Sequence, residues 1–157
     1  AMMADINAMI GLGRSEDSTT RVTCLTCHRG VPNPRPLDEI IRRTVELEGG
    51  ESAADAYRSL RRKFYGGTAY DFREELLLST VQRFTDGRPD DAIALLKMNL
   101  EFYPTSSRGY SALAYAYTRK RDDESAVAAL ETALQLDPDN SIARGQLEQL
   151  KKYRRRR

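Results

Sequence analysis

The residues with the most reactive side chains in this chain lie within five positions of one another. Cys24, Cys27 and His28 are the only cysteines and the only histidine among 157 residues, and they read C-x-x-C-H. This spacing is the attachment signature of c-type haem, because both sulfurs can bond the vinyl groups of one porphyrin while the adjacent histidine lies against the iron. The sequence therefore predicts one haem c, bound covalently through Cys24 and Cys27, with His28 as an axial ligand.

Other sites made of these residue types fit the sequence less well. A structural zinc site has four protein ligands, and here carboxylates would have to complete a set of two cysteines and one histidine. A thioredoxin-like dithiol needs C-x-x-C near a βαβ pattern, and no strand pattern lies close to this motif. A simple disulfide would leave His28 without a role. A redox dithiol remains the alternative to haem.

The other axial position of the iron calls for methionine, since the chain has no second histidine. The candidates are Met2, Met3, Met9 and Met98. Met98 lies in an apolar helical pattern, where a flexible thioether fills a core. The other three lie in "AMMADINAMIGLG", a predicted helix that two glycines end. On residue type alone, each of these three could bind the iron or pack against apolar neighbours.

A family resemblance narrows this choice. "MMADIN", followed after a loop by "VTCLTCHRGVPNPRPL", resembles a haem-binding segment of the cytochrome subunit of photosynthetic reaction centres and of related multihaem cytochromes. In that family a helix with the pattern Met-x-x-x-[Ile/Leu]-Asn carries the axial methionine. Met2, Ile6 and Asn7 match it, so the resemblance implies Met2 as distal ligand, with Met3 or a group from a neighbouring chain as alternatives.

The resemblance covers roughly residues 1 to 40, and one feature departs from it. Relatives carry several haems in one chain, whereas this chain has a single C-x-x-C-H. Either an upstream haem segment was lost or cleaved off, or the protein is a single-haem descendant. The chain also starts in a helical pattern without an N-cap or a secretory signal, so we expect that upstream sequence has been removed.

From Leu37 onward the pattern changes to helical hairpins. Pro104 and Pro138 are 34 residues apart. The same interval separates three apolar pairs, which are Ala92 and Ala126, Leu96 and Leu130, and Leu100 and Leu134. This is the period of tetratricopeptide repeats, and these residues resemble such repeats, most strongly in "ALETALQLDPDN".

An earlier, degenerate unit precedes these repeats, and a final helix follows them. The two helices of the earlier unit are predicted at about 37–48 and over "SAADAYRSLRRKF". At the end of its second helix, Phe64-Tyr65 corresponds to Phe102-Tyr103. A last helix at about 140–153 has few apolar positions and is predicted to cap the stack. The tyrosines at 110, 115 and 117 are expected to pack between helices rather than line a peptide groove.

The predicted fold class is therefore all-α, with about nine helices and no sheet. The predicted domains are a haem-binding helix, loop and C-x-x-C-H segment at 1–36, and a tetratricopeptide-like solenoid of helical hairpins at 37–157. We expect no membrane span, because no run of about 18 apolar residues exists.

Charge and residue inventory exclude several functions. The chain has 25 basic and 23 acidic residues, and its net charge of +2 gives no reason to expect nucleic acid as a partner. The basic "KKYRRRR" is expected to be a solvated helix end. With His28 assigned to iron, no Ser-His or Cys-His nucleophile can form, so we expect no enzyme. Asp90 and Asp91 are expected to be solvated surface carboxylates.

Together these observations predict an electron-carrying c-type cytochrome with a repeat scaffold. Because c-type haem is attached outside the cytoplasmic membrane, we expect a periplasmic, extracellular or cell-surface protein. The scaffold would dock a redox partner protein, or assemble the chain into a homo-oligomer or polymer. The alternative is an interaction scaffold in which the haem is structural, or senses a gas or redox state.

Overall fold

The structure, a computed structural model, describes residues 35–154. This part of the chain contains seven α-helices and no strand. The helices are α1 (Leu37–Glu48), α2 (Gly50–Phe64), α3 (Glu74–Gln82), α4 (Pro89–Phe102), α5 (Ser107–Lys120), α6 (Asp123–Leu136) and α7 (Ser141–Arg154). The all-α prediction is confirmed for these residues. The predicted N-terminal haem segment, and with it the total of nine helices, lies outside them.

The helices stack as hairpins. Helix α1 packs on α2, α3 on α4, and α5 on α6. Neighbouring hairpins meet through their first helices, α1 with α3 and α3 with α5, and through their second helices, α2 with α4. Helix α4 also packs on α5, and α7 contacts both α5 and α6. Because each unit contacts only its neighbours, the described residues form the solenoid-like stack that the repeat period predicts.

Apolar burial follows the 34-residue interval. Ala92 and Ala126 are completely buried, and Leu96 and Leu130 are buried to within 1% of their surface. Alanine at these positions leaves room for the neighbouring helix. Met98 is also fully buried, which confirms its predicted place in the core.

The buried residues of the described range form two cores. The first is built from α1 to α5 and includes Leu77, and the second from α5 to α7 and includes Leu147. Tyr117 packs against both. The helix predicted at about 140–153 is α7, which packs on the second core; its role as a cap stays a prediction.

The joints after α4 and α6 have the same hydrogen bonds. In the first joint, the Ser106 hydroxyl accepts a hydrogen bond from the Gly109 N–H at 2.9 Å. In the second, the Asn140 side-chain oxygen accepts from the Ala143 N–H at 3.0 Å. Both side chains satisfy an N–H group that the first turn of a helix leaves unpaired. The predicted prolines, Pro104 and Pro138, follow the ends of α4 and α6, where they stop each helix.

The first unit departs from the repeat spacing. Helix α2 ends at Phe64 and α4 at Phe102, so the corresponding ends are 38 residues apart rather than 34. The connection after α2, residues 65–73, is longer than the joints after α4 and α6. The predicted helix at 37–48 has the bounds of α1.

Candidate functional site

The predicted haem ligands lie outside the described residues. Cys24, Cys27, His28, Met2 and the alternative Met3 all precede residue 35, so haem attachment stays a prediction. Within residues 35–154, no three potential metal ligands of the His, Cys, Asp or Glu type come together. In the same range, no helix combines the length and apolar character that crossing a membrane requires.

The site that the structure does describe is a groove along α3, α5 and α7. It has two adjoining sections of about 440 Å³ and 480 Å³, and Tyr115 and Gln146 line both. The lining residues are Leu78, Val81 and Gln82 from α3, Thr85 from the turn after it, Arg108, Ser111, Ala112, Tyr115 and Thr118 from α5, and Ile142, Gln146, Gln149 and Tyr153 from α7. We call this surface the groove face.

The groove face is built from repeat-equivalent positions. Leu78, Ala112 and Gln146 follow one another at intervals of 34 residues, and so do Val81, Tyr115 and Gln149. One turn of each first helix therefore points to the same surface in every unit. At these two sets of positions the residue types change from apolar on α3 to amide on α7, so the surface is not uniform along its length.

Tyr115 is the groove residue that sequence reasoning placed wrongly. Tyr110 and Tyr117, seven residues apart on one face of α5, pack on the second core as predicted. Tyr115 lies on another side of α5, is 37% exposed and lines the groove instead. The 100° turn per residue separates these positions, and a count of tyrosines on a helix does not show which side faces the groove.

Tyr115 is held in place by a polar contact. Its hydroxyl donates a 2.6 Å hydrogen bond to the Asp86 carboxylate, which also pairs with the Arg119 guanidinium at 3.1 Å. The bond to Asp86 raises the pKa of the Tyr115 phenol, because the carboxylate favours the protonated hydroxyl. The Tyr115 side chain is therefore uncharged, and its ring is held in one orientation where the two sections of the groove meet.

The groove carries unneutralised positive charge. Arg108 and Arg121 line its two sections, and neither is in an ion pair among the described residues. Asp123 is the single carboxylate among its lining residues. In contrast, Lys120 beside the groove is paired with Asp90 at 2.6 Å.

A second cluster surrounds Arg61, which sequence reasoning missed. Its side chain is only 9% exposed, and Nη1 donates to the Tyr57 hydroxyl, the Phe72 carbonyl and the Tyr103 hydroxyl at 3.1 to 3.3 Å. The guanidinium carbon lies 4.2 Å from the Tyr65 ring centroid. The sequence signal was the paired aromatics at the ends of α2 and α4, of which Tyr65, Phe102 and Tyr103 have ring centroids 4.2 to 5.3 Å from the guanidinium carbon.

The Arg61 cluster has a structural role. It fixes the long connection 65–73 to α2 and α4, because the Phe72 carbonyl also accepts from the Tyr103 hydroxyl at 2.7 Å. Burial raises the pKa of Tyr57, so this hydroxyl stays protonated and able to donate. The cluster explains how the first unit tolerates its longer spacing.

Comparison with known protein families agrees with this geometry. Residues 107–140 match the tetratricopeptide repeat. The match begins at the first residue of α5 and ends at Asn140, so it spans α5, α6 and the joint to α7. No curated protein matches the chain. The hairpin α5–α6, with the joint that follows it, is therefore a tetratricopeptide repeat.

Proposed function

We propose that the protein is a c-type cytochrome, an electron carrier that the repeat scaffold docks onto a redox partner. The observation that carries the proposal is the C-x-x-C-H motif formed by Cys24, Cys27 and His28. The donor chemistry fits haem c, since two thiols can form the thioether links and an imidazole and a thioether can bind the iron. Bound haem supplies one-electron transfer.

The protein's own residues have separate roles in this proposal. Cys24 and Cys27 hold the group covalently, which leaves no free thiol in an oxidising compartment. His28 and Met2 would bind the iron, and methionine ligation would raise the reduction potential relative to two histidines. No bond-making chemistry is required of the protein, so we propose no enzymatic activity.

The scaffold part of the proposal rests on the tetratricopeptide repeat. Stacked helical hairpins present an extended surface to protein partners, and the groove face is such a surface in this chain. We propose that a redox partner protein, or further copies of the chain in a homo-oligomer or polymer, use the scaffold for docking. The proposed compartment is the periplasm, the cell surface or the extracellular space.

A second candidate is an interaction scaffold in which the haem is structural or acts as a sensor. The repeat match at 107–140 favours it, because that match concerns protein interaction and not electron transfer. Coordination separates the two candidates. A reduced protein that takes up carbon monoxide has a vacant axial position, as a sensor requires, whereas an electron carrier with two protein ligands resists it.

The test is an optical spectrum of protein made in a host that matures c-type cytochromes. We expect a reduced α-band of thioether-linked haem that survives acid-acetone extraction, and a weak far-red band in the oxidised form from methionine ligation. Met2→Leu should abolish the far-red band while Met9→Leu, the matched control on the same predicted helix, keeps it. A colourless protein would leave only the repeat scaffold with a redox dithiol.

A further inference from the structure

We infer that Arg61 binds a carboxylate that comes from outside residues 35–154, on a ligand with a short apolar stem. This site lies at the end of α2 and shares no lining residue with the groove face. It does not require the proposed haem, although a haem propionate is one source of such a group.

The first argument is that Arg61 is a buried charge without a counter-ion. Arg61 is 9% exposed, and no carboxylate among the described residues is in an ion pair with it. Its Nη1 donates to three neutral oxygens, which belong to Tyr57, Phe72 and Tyr103. Removing a guanidinium from water is costly unless an anion compensates its charge. Within the described part of the chain, no group does so.

The second argument concerns the N–H groups that Arg61 leaves unused. A guanidinium has five N–H groups, and those on Nε and Nη2 of Arg61 have no acceptor among the described residues. Arg58, one turn earlier on α2, shows what this edge binds, since its Nε and Nη2 donate to both Glu101 oxygens. Two parallel N–H groups match the two oxygens of a carboxylate. The corresponding edge of Arg61 therefore selects the same group.

The third argument is the space beside the cluster. A hollow of about 190 Å³ is lined by Tyr65, Phe72 and Tyr103, and their ring centroids lie 4.2 to 5.9 Å from the guanidinium carbon. Tyr65 is 67% exposed, so an aromatic wall of the hollow is in contact with water. Aromatic rings gain by burial against an apolar group. The hollow can therefore cover a short apolar stem next to the bound carboxylate.

The charges around the hollow favour an anion. Asp71 is the carboxylate among its lining residues, and Arg73 neutralises it through an ion pair. Arg62 and Lys63 follow Arg61 at the end of α2, and neither is in an ion pair among the described residues. Aromatic rings alone also attract cations, but a cation here would be repelled by Arg61 itself. The ligand of this site is therefore negatively charged.

Two sources can supply the carboxylate. The propionate groups of a haem are carboxylates on short apolar stems, and His28 precedes the start of α1 by nine residues. Nine residues span up to about 30 Å. Helix α2, with 15 residues, is about 22 Å long, so a haem at His28 could reach Arg61. The other source is a separate molecule that carries the same group. The two sources differ in whether haem attachment fills the site.

The test measures thermal unfolding of the full chain by circular dichroism in the presence of sodium benzoate. The variant Cys24→Ser/Cys27→Ser, which cannot attach haem, provides the haem-free chain. A ligand of the native state raises the melting temperature as it saturates the site. We expect this from benzoate at constant ionic strength, and no shift from benzamide, its uncharged analogue, or from phosphate. An equal shift with benzamide or phosphate, or no shift with benzoate, would overturn the inference.

Variants of the haem-free chain assign the shift to Arg61. Arg61→Gln should abolish it, and Arg61→Lys, which keeps the charge without the forked edge, should weaken benzoate binding about tenfold. Arg62→Gln, the exposed neighbour, is the matched control and should keep the full shift. Tyr65→Ala retains the hydrogen bonds of Arg61 and should also weaken binding, which keeps the inference testable if Arg61→Gln does not fold. A full shift in Arg61→Gln or in Tyr65→Ala would contradict it.

Comparison with haem-loaded protein identifies the source. If a propionate fills the site, benzoate should stabilise only the haem-free chain. Arg61→Gln should then lower the folding equilibrium constant of the loaded protein about tenfold more than that of the haem-free chain, which is the loss expected for a hydrogen bond between charged groups. Equal benzoate shifts in both forms would support the site and assign it to a carboxylate of a separate molecule.

The inference and the electron carrier fail separately. Protein that stays colourless in a cytochrome-maturing host overturns the electron carrier, and the benzoate shift still decides whether Arg61 is a carboxylate site. Coloured protein whose haem-free form shows no benzoate shift overturns the inference and leaves the electron carrier in place.

Discussion

Gly50 and Asp91 show how closely two helices of neighbouring units approach. The Gly50 N–H donates a 2.6 Å hydrogen bond to the Asp91 carboxylate, which is partly buried. A Cβ at Gly50 would lie 2.5 Å from the Asp91 Cα, which is backbone and cannot rotate away. The expectation that Asp91 is simply solvated was therefore wrong, because its side chain caps the start of α2.

This contact predicts the effect of Gly50→Ala. We expect it to lower the free energy of unfolding by about 1 to 3 kcal/mol, because α2 must shift away from α4. Gly145→Ala in α7 is the control, since its Cβ would meet nothing within 4 Å. It should stabilise the protein by about 0.5 to 1 kcal/mol through helix propensity. Urea denaturation measures both, and an equal effect of the two substitutions would refute the close approach.

The Arg61 cluster gives a second prediction for a single residue. Arg61→Met should cost about 2 to 4 kcal/mol, because the Tyr57 and Phe72 oxygens lose a charged donor in a buried site. Arg62→Met, the exposed neighbour on α2, should change stability by less than about 0.5 kcal/mol. Thermal unfolding followed by circular dichroism compares them. If the two variants melted alike, the cluster would have no role in stability.

Helices α2 and α4 are also joined by a bidentate ion pair. The Arg58 guanidinium donates to both Glu101 oxygens, at 2.8 Å from Nε and 2.5 Å from Nη2. The hydrogen bond from Arg58 holds the pKa of Glu101 below its ordinary value of 4.5. The pair therefore stabilises the fold above that ordinary pKa, and this contribution is lost as the pH falls through the lowered pKa.

The lowered pKa of Glu101 predicts how the stability of Glu101→Gln depends on pH. At pH 7 the variant should be less stable by under about 1 kcal/mol, because both side chains are partly exposed. The difference from the wild type should disappear in strong acid, where Glu101 is protonated in both states. Glu131→Gln on α6, exposed and without an ion pair among the described residues, is the control. A difference that persisted at low pH would show that the effect is not electrostatic.

At the scale of elements, regular features were predictable and irregular ones were not. The 34-residue interval, its alanines and its prolines located the hairpins from α3 to α7, because core packing repeats with the chain. The Arg61 cluster was missed because a buried arginine at position 61 has no counterpart in the repeat. Tyr115 was misplaced because two helix faces carry tyrosines and only tertiary packing decides which is covered. The haem segment stays a prediction from its motif.

At the scale of the whole molecule, residues 35–154 are held together by two cores rather than one. Tyr117 belongs to both, and α7 contributes only to the second. In a stack where units contact their neighbours, the end helix has one packed side and opens most easily. Hydrogen exchange should therefore be fastest in α7 and slowest in α4.

Leu147→Ala tests whether the cores open separately. Leu147 is 9% exposed in the second core, and its loss should cost about 2 kcal/mol and speed amide exchange in α6 and α7. Exchange in α1 to α4 should remain as in the wild type. Leu77→Ala in the first core, where Leu77 is 2% exposed, should instead speed exchange in α1 to α4. A uniform rise along the chain in either variant would mean that the two cores unfold as one.

The matching joints after α4 and α6 make the chain divisible. Each joint runs from residue 103 or 137 to a cap at 106 or 140, and each cap bonds the N–H three residues later. Excising residues 107–140 would therefore connect the end of α4 to the start of α7 through an unaltered turn. Inserting a second copy of residues 107–140 at the same junction would duplicate the α5–α6 hairpin. The length of this scaffold can thus be changed in whole units, whereas the first unit, tied by Arg61 to a longer connection, has to be kept as it is.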